Sequence, residues 1–299
     1  MKLRSRLFLL AAGTLAPMVA FAIVAALMLL QHEREAMERD AIGRARSAMS
    51  AVDTHLRGSI VSLETLAGSK HLEAGNIAAF HAESQRVLRT QPGWVNIGLT
   101  SATKVQLANA VFAFGKPEPL TVADDGAFEA VVRTARPQIG GVAAGNVVTS
   151  PTVRVRVPVT YGEEVRYVLS APLNLKQLAA LLEAQRLPED WVITLVDHGK
   201  RVIARIPAVP AGLQESESYR EAMSRSAEGW FQGRTLDGRI AYTSYVTSEL
   251  SGWMLAIGIP AGTVEAGAQR MFEILGAGVV LALAFAALLA WLIAGRISP

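Results

Sequence analysis

Two long apolar runs, Leu7 to Leu30 and Ile274 to Ala294, constrain this chain more than any other feature. Each supplies roughly the 20 residues that a helix needs to cross a bilayer core about 30 Å thick. Between them, Gln31 to Glu273 is polar and well patterned, long enough for one or two domains. Pro17 falls inside the first run, where neighbouring groups in a membrane can re-satisfy the broken backbone bond.

Charge sets the expected orientation. Lys2, Arg4 and Arg6 precede the first run without an acidic residue, and Arg296 follows the second. Positive residues stay on the cytoplasmic side, so both termini are expected inside and the middle segment outside. A cleaved leader is the rival reading, because Ala20-Phe21-Ala22 has the A-x-A form of a cleavage site. It would leave the apolar stretch Ile23 to Leu30 on the mature chain, so an uncleaved anchor is preferred.

The formal net charge of +3 is too small to argue for nucleic acid, and no basic run interrupts the middle segment. The absence of cysteine rules out disulfides and thiolate chemistry, which is compatible with a bacterial periplasm. The five histidines (His32, His55, His71, His81, His198) read as solvated surface residues, and no metal-binding, phosphate-loop or nucleophile motif is present. No catalytic site, metal site or cofactor is expected.

Apolar residues at helical spacing (Ala41, Ala45, Ala48, Val52, Leu56, Ile60, Leu63, Leu66) predict one long helix over Gln31 to Lys70, projecting ~60 Å from the membrane. Asn76 caps a second predicted helix, Ile77 to Arg89. Alternation then predicts strands at Trp94 to Thr100 and Lys104 to Val111, followed by a helix from Asp124-Asp125-Gly126 to Arg136. Three strands follow: Gln138 to Ala143, Thr152 to Tyr161 and Val165 to Leu173. Asn174 with Gln177 opens a helix to Arg186 in capping-box fashion.

The pattern then restarts. Trp191 to Val196 and Arg201 to Arg205 form a hairpin about Asp197-His-Gly-Lys200. Ser218 with Glu221 caps a short helix to Ser226, and strands are expected at Gly229 to Thr235, Arg239 to Thr247 and Gly252 to Pro260. Hairpin, helix and three strands thus occur twice, as a repeat of element order rather than of residues. The fold class is α+β: two tandem antiparallel sheets on a long N-terminal helix, flanked by two transmembrane helices.

This order resembles the double Cache (tandem PAS-like) periplasmic sensor regions of bacterial transmembrane receptors, of the histidine-kinase type in particular. The resemblance covers Gln31 to about Ala261 and rests on that architecture. Its landmarks are Trp94-Val-Asn-Ile-Gly-Leu-Thr100, Asp197-His-Gly-Lys-Arg-Val-Ile-Ala-Arg205 and Ser251-Gly-Trp253. Trp291-Leu-Ile-Ala-Gly-Arg-Ile-Ser-Pro299 resembles the junction of a span with a HAMP domain, as though an output module began there. The expected organisation follows: a cytoplasmic N-terminus (1–6), first span (7–30), emergent helix (31–75), distal PAS-like domain (76–187), proximal PAS-like domain (188–261), linker (262–273), second span (274–294) and HAMP-like start (295–299).

The resemblance also suggests where a ligand would sit. In the strand from Thr152, Arg154 and Arg156 share one face while Val153, Val155 and Val157 take the other. Trp94, Asn96 and Thr100 share the face opposite Val95, Ile97 and Leu99. An antiparallel sheet with one wet side shows the same alternation without any function. In the resembled fold, however, the aliphatic face lies under the long helix and the polar face lines a pocket. Guanidinium groups there suit a carboxylate or a phosphate. The candidate ligand residues are Arg154, Arg156, Asn96, Trp94 as an apolar wall, and Asp125. Asp124 and Asp125 have the alternative role of a helix cap. Phe112 and Phe114 are expected to help close the core.

The amino-acid signature of the superfamily is not legible, so a small organic acid is the expected ligand. The proximal half shows no comparable polar stripe and is expected to relay. A homodimer, paired along the Ala-rich stripe of the long helix, is the expected working unit. A histidine kinase is the expected output, with a chemoreceptor, a cyclic-dinucleotide enzyme or an anchored binding protein without output as alternatives.

Overall fold

The computed structural model describes residues 3–115, 126–144, 150–162 and 164–297. One helix, α1 (Leu3–Ala67), runs unbroken through the first apolar segment and the amphipathic stretch after it. Short α2 (Lys70–Glu73) and α3 (Ile77–Thr90) follow, the latter capped as expected by the Asn76 side chain, which accepts from the Ala79 N–H at 3.0 Å. The first sheet holds β1 (Gly98–Ser101), β2 (Gln106–Asn109), β3 (Gln138–Ile139), β4 (Ala143–Ala144), β5 (Pro151–Tyr161) and β6 (Glu164–Leu173), with α4 (Ala127–Thr134) between β2 and β3. Helix α5 (Leu175–Glu183) leads to the second sheet: β7 (Val192–Val196), β8 (Val202–Ile206), α6 (Glu217–Arg225), β9 (Glu228–Arg234), β10 (Ile240–Thr247) and β11 (Met254–Pro260). Helix α7 (Ala261–Ile297) closes the described chain.

Both sheets are antiparallel and share one topology. The spatial order is β2-β1-β6-β5-β3 in the first, with β4 paired to β5, and β8-β7-β11-β10-β9 in the second. In each, the hairpin lies at one side and the last strand of the following three inserts beside it. The repeat of element order read from the sequence is therefore a repeat of fold.

A single apolar cluster joins α1 to one face of each sheet. From α1 it takes Ala45, Ala48, Val52, Leu56, Leu63 and Leu66, from the first sheet Val153, Val155, Val157 and Leu169, and from the second Ile193, Leu195, Leu255 and Ile257. Full burial of each large aliphatic side chain contributes ~1.5–3 kcal/mol, so this face holds both sheets in place. Further bonds tie the second sheet to the helix. Ser248 donates to the Asp53 carboxylate at 2.7 Å, Ser244 to the Ala41 carbonyl at 3.1 Å, and Arg46 pairs with Glu228. The Ala-rich stripe is thus covered by the chain's own sheet, because small side chains let the strands approach. Pairing of two copies along that stripe is excluded.

Several local expectations change. Ser216, not Ser218, sits at the N-cap of α6, and the Ser218 hydroxyl instead accepts from the Arg234 N–H at 3.2 Å. No loop separates the last strand from the second apolar segment: α7 begins at Ala261, directly after β11, so 262–273 is helical. His81 is buried rather than solvated, its Nε2–H shared between the carbonyls of Asn109 (3.0 Å) and Phe112 (2.9 Å). Phe114 is exposed and only edges against the His81 ring.

The segments 1–40 and 260–299 form a compact unit apart from 41–259. By length and composition, α1 and α7 can each cross a membrane. Their apolar side chains, including Phe21, Met28, Val280 and Phe285, are exposed, as lipid-facing residues would be.

Candidate functional site

The candidate site lies on the face of the first sheet opposite α1. Strand β5 alternates as the sequence predicts: Val153, Val155 and Val157 enter the core, while Arg154 and Arg156 take the other face, both buried and Arg156 only 1 % exposed. The register builds a row across all five ordered strands: Asn109 opposite Gly98, Gly98 opposite Ser170, Ser170 opposite Arg156, and Arg156 opposite Gln138. With neighbouring strands ~4.8 Å apart, Arg156 and Asn109 flank Gly98 and Ser170, and the Gln106 side chain lies over Gly98. A small molecule set there meets a guanidinium at one side and an amide at the other.

Helix α4 roofs this face. Its Phe128 and Val131 pack on Val165 and Val168 of β6, and Lys104, from the β1–β2 turn, pairs with Glu129 and sits over the Phe128 ring. A buried guanidinium loses hydration and is retained only where charge and hydrogen bonds compensate, so the two mark a polar, cationic stretch of this face.

The predicted residues separate here. Arg154 and Arg156 come together as expected. Asn96 is buried, but its Oδ1 is spent on the adjacent Ile97 N–H at 2.7 Å. Trp94 is not a wall of this face. It bridges Leu173, whereas Gly98 pairs with Ser170, so four residue steps on one strand (94 to 98) oppose three on the other (173 to 170). One extra residue reverses the side on which a side chain falls, so Trp94 enters the core and donates from Nε1 to Ser59 of α1 at 3.2 Å. Asp125 lies outside the described residues.

Asn109 was missed. Its Oδ1 accepts from the Val111 N–H at 3.1 Å, while its buried Nδ2 has no hydrogen-bond partner among the described residues. The signal was legible in part: Ala108 and Ala110 alternate with it, and both are buried in the core.

The second sheet holds a polar cluster that strand alternation did not reveal. Arg205, expected to be a hairpin residue, is only 2 % exposed, and its Nη2 donates to Asp237. Burial works against the Asp237 carboxylate, but hydrogen bonds from Arg239 and Arg205 outweigh it and bring its pKa below the usual range. Glu215 is likewise buried, which pushes its carboxyl up despite a backbone bond from Ser216. Asp197, expected to be a turn residue, is fully buried and holds Arg201 at 2.9 Å.

Solved structures share this fold. The ligand-binding domain of the Pseudomonas aeruginosa amino acid chemoreceptor PctB, in complex with L-Arg, superposes with a TM-score of 0.60 at 15 % identity, covering 78 % of this chain and 98 % of that one. An extracellular domain assigned to a histidine kinase, rpHK1S-Z16, gives 0.59 at 14 %, covering 78 % and 97 %. The ligand-binding domain of the Campylobacter jejuni chemoreceptor Tlp3, in complex with L-norvaline, gives 0.59 at 10 %, covering 78 % and 94 %. No family model matches the sequence, and no curated protein matches it. The fold is therefore that of the sensory domains of histidine kinases and chemoreceptors, the double Cache arrangement that the sequence resembles.

Proposed function

We propose that this chain is the extracytoplasmic input portion of a bacterial inner-membrane receptor, taking a small organic acid on the first sheet and passing a conformational shift to α7. The observation that carries it is the row from Asn109 to Gln138, with Arg156 buried beside Gly98 and Ser170 under α4. The ligand's carboxylate accepts from the guanidinium groups of Arg156 and Arg154, the Asn109 amide meets its other end, and Asp125 is retained as the proposed partner of any amine it carries. α1 and α7 anchor the chain in the bilayer, with both termini cytoplasmic and 41–259 outside. The expected boundaries between a distal domain (76–187) and a proximal one (188–261) are retained in this reading.

Ligand binding favours one of two arrangements of the outer segment. Moving such a balance from 1:99 to 99:1 takes about 5.5 kcal/mol of differential affinity, within reach of a buried carboxylate–guanidinium pair with its hydrogen bonds. Strand β11 continues into α7 without an intervening loop, so movement of the second sheet is delivered to that helix rather than absorbed. The output is a histidine kinase; a chemoreceptor is the second reading, favoured by neighbours such as PctB and Tlp3. The working unit is a homodimer that uses a face of α1 other than its Ala-rich stripe.

The test is a thermal-shift screen of the full chain in nanodiscs with mono- and dicarboxylates and with L-amino acids. A rise in Tm with a carboxylate, lost in Arg156→Ala, supports the reading. A rise with amino acids alone moves the ligand class to that of the PctB and Tlp3 complexes. No rise with either set defeats it.

A further inference from the structure

The second sheet presents the equivalent face, and a carboxyl group is buried under its covering. Glu215, 5 % exposed, precedes Ser216, the N-cap of α6. Its N–H donates to the Lys200 carbonyl at 3.1 Å, which ties the approach to α6 to the β7–β8 turn. Its Oε2 accepts from the Ser216 N–H at 3.1 Å, and its carboxylate also takes the Thr194 hydroxyl of β7. One side chain thus holds the start of α6 against two places on the sheet.

Charged and titratable groups face it from each element around it. Arg205 of β8, 2 % exposed, donates to Asp237 in the β9–β10 turn, and Arg239 binds the same carboxylate at 2.6 Å. Arg234 of β9 and Tyr219 of α6 line the same small cavity, and Glu217 in the first turn of α6 is exposed. The cavity measures ≈ 20 Å³, room for about one water. A water there accepts from Arg205 and donates to Glu215, so the carboxyl has a partner that can pass it a proton. Burial disfavours the charged form and outweighs the bonds from Ser216 and Thr194 and the charge of Arg205, with Asp237 acting in the same sense as burial. Glu215 therefore keeps its proton to a higher pH than an exposed glutamate.

We propose that Glu215 is a proton-binding switch, through which the second sheet responds to the acidity of its surroundings. The proton sits on the carboxyl oxygen that Ser216 does not hold. The neutral side chain stays packed under α6. Once ionised it gains from contact with water, so the arrangement in which the start of α6 lifts from the sheet is favoured. The sign follows from linkage. The packed form binds the proton more tightly than a solvated carboxyl of pKa 4.5, so its share of stability is full below pH 4.5 and is lost as pH rises through the packed value. The second sheet, expected to relay only, then has an input of its own. The inference does not rest on the ligand site proposed for the first sheet.

The test uses the full chain in nanodiscs and needs no ligand. Infrared difference spectra of wild type against Glu215→Gln, taken across the pH range, follow the C=O stretch of the protonated carboxyl. The expected midpoint lies above 4.5, moves up in Arg205→Gln and moves down in Asp237→Asn. Because the chain has no cysteine, spin labels can be placed on Arg220→Cys of α6 and Glu249→Cys beyond β10, both exposed positions. Their separation is expected to grow from about pH 5 to about pH 8 in the wild type and to stay at the acid value in Glu215→Gln, which preserves the side chain's shape. A midpoint at 4.5, midpoints that move in the same direction in the two charge variants, a separation that ignores pH, or one that still changes in Glu215→Gln would each overturn the proposal.

Discussion

The Asp197 carboxylate, in the β7–β8 turn of the second sheet, accepts a hydrogen bond at 2.9 Å from the backbone N–H of Val142, which lies between β3 and β4 of the first. The same carboxylate holds the Arg201 N–H at 2.9 Å and its Nε–H at 3.0 Å. A buried charge is thus satisfied by groups from both repeats. This joint is local and polar, whereas the apolar cluster along α1 is extended.

Removing Asp197 leaves Arg201 and the Val142 N–H without their acceptor. Asp197→Ala is expected to lower stability by about 3 kcal/mol, read by urea denaturation. If the joint also conducts the signal, ligand added to this variant stabilises the first sheet without changing the protease sensitivity of the second.

Gly141 tests the same joint from the other side. A Cβ there would stand 2.6 Å from Asp197 Oδ2 and 2.9 Å from Arg201 Nη2. Gly141→Ala is therefore expected to displace the carboxylate and cost ~1–3 kcal/mol, and Asp197→Ala in the same chain should remove most of that cost. Additive losses in the double variant would speak against the contact.

Asn109→Asp keeps an oxygen for the Val111 N–H but exchanges the free amide donor for negative charge. Carboxylate affinity is expected to fall by tenfold or more, about 1.4 kcal/mol, by titration calorimetry. Unchanged affinity would remove Asn109 from the site.

Trp94→Phe should separate packing from binding. The indole N–H to Ser59 is lost, at about 1 kcal/mol of stability, while ligand affinity stays as in the wild type because the ring faces α1. A matching loss of affinity would return Trp94 to the pocket.

His55, on α1, has a half-buried ring whose Nε2 has no hydrogen-bond partner among the described residues, and burial lowers its pKa from 6.5. Below pH 6.5 the unfolded chain takes up the proton first, so stability is full above that pH and falls as pH drops toward the folded value. Denaturation midpoints measured from pH 8 to pH 5 should show a decline that His55→Leu reduces.

Periodicity carried much of the fold. The helical spacing of Ala45, Val52, Leu56, Leu63 and Leu66 and the alternation of Val153, Val155 and Val157 predicted which faces are buried, since each depends only on the geometry of one element. Where side chains left that pattern, the reason was nonlocal. Trp94 changed sides through an extra residue visible only in its pairing with Leu173, and the Ser59 hydroxyl in the buried stripe of α1 takes its indole N–H.

The sequence by itself determined two segments able to span a membrane, the long helix, the repeated order of hairpin, helix and three strands, and the arginine face of β5. Each is written in a local period or in composition. Only the tertiary structure decided the row from Asn109 to Gln138, the burial of Arg205 with Glu215 and Tyr219, and the bond from Val142 to Asp197. Those depend on strand register and on which residues distant in the chain cover a charge. A period within one element carries no information about its partner.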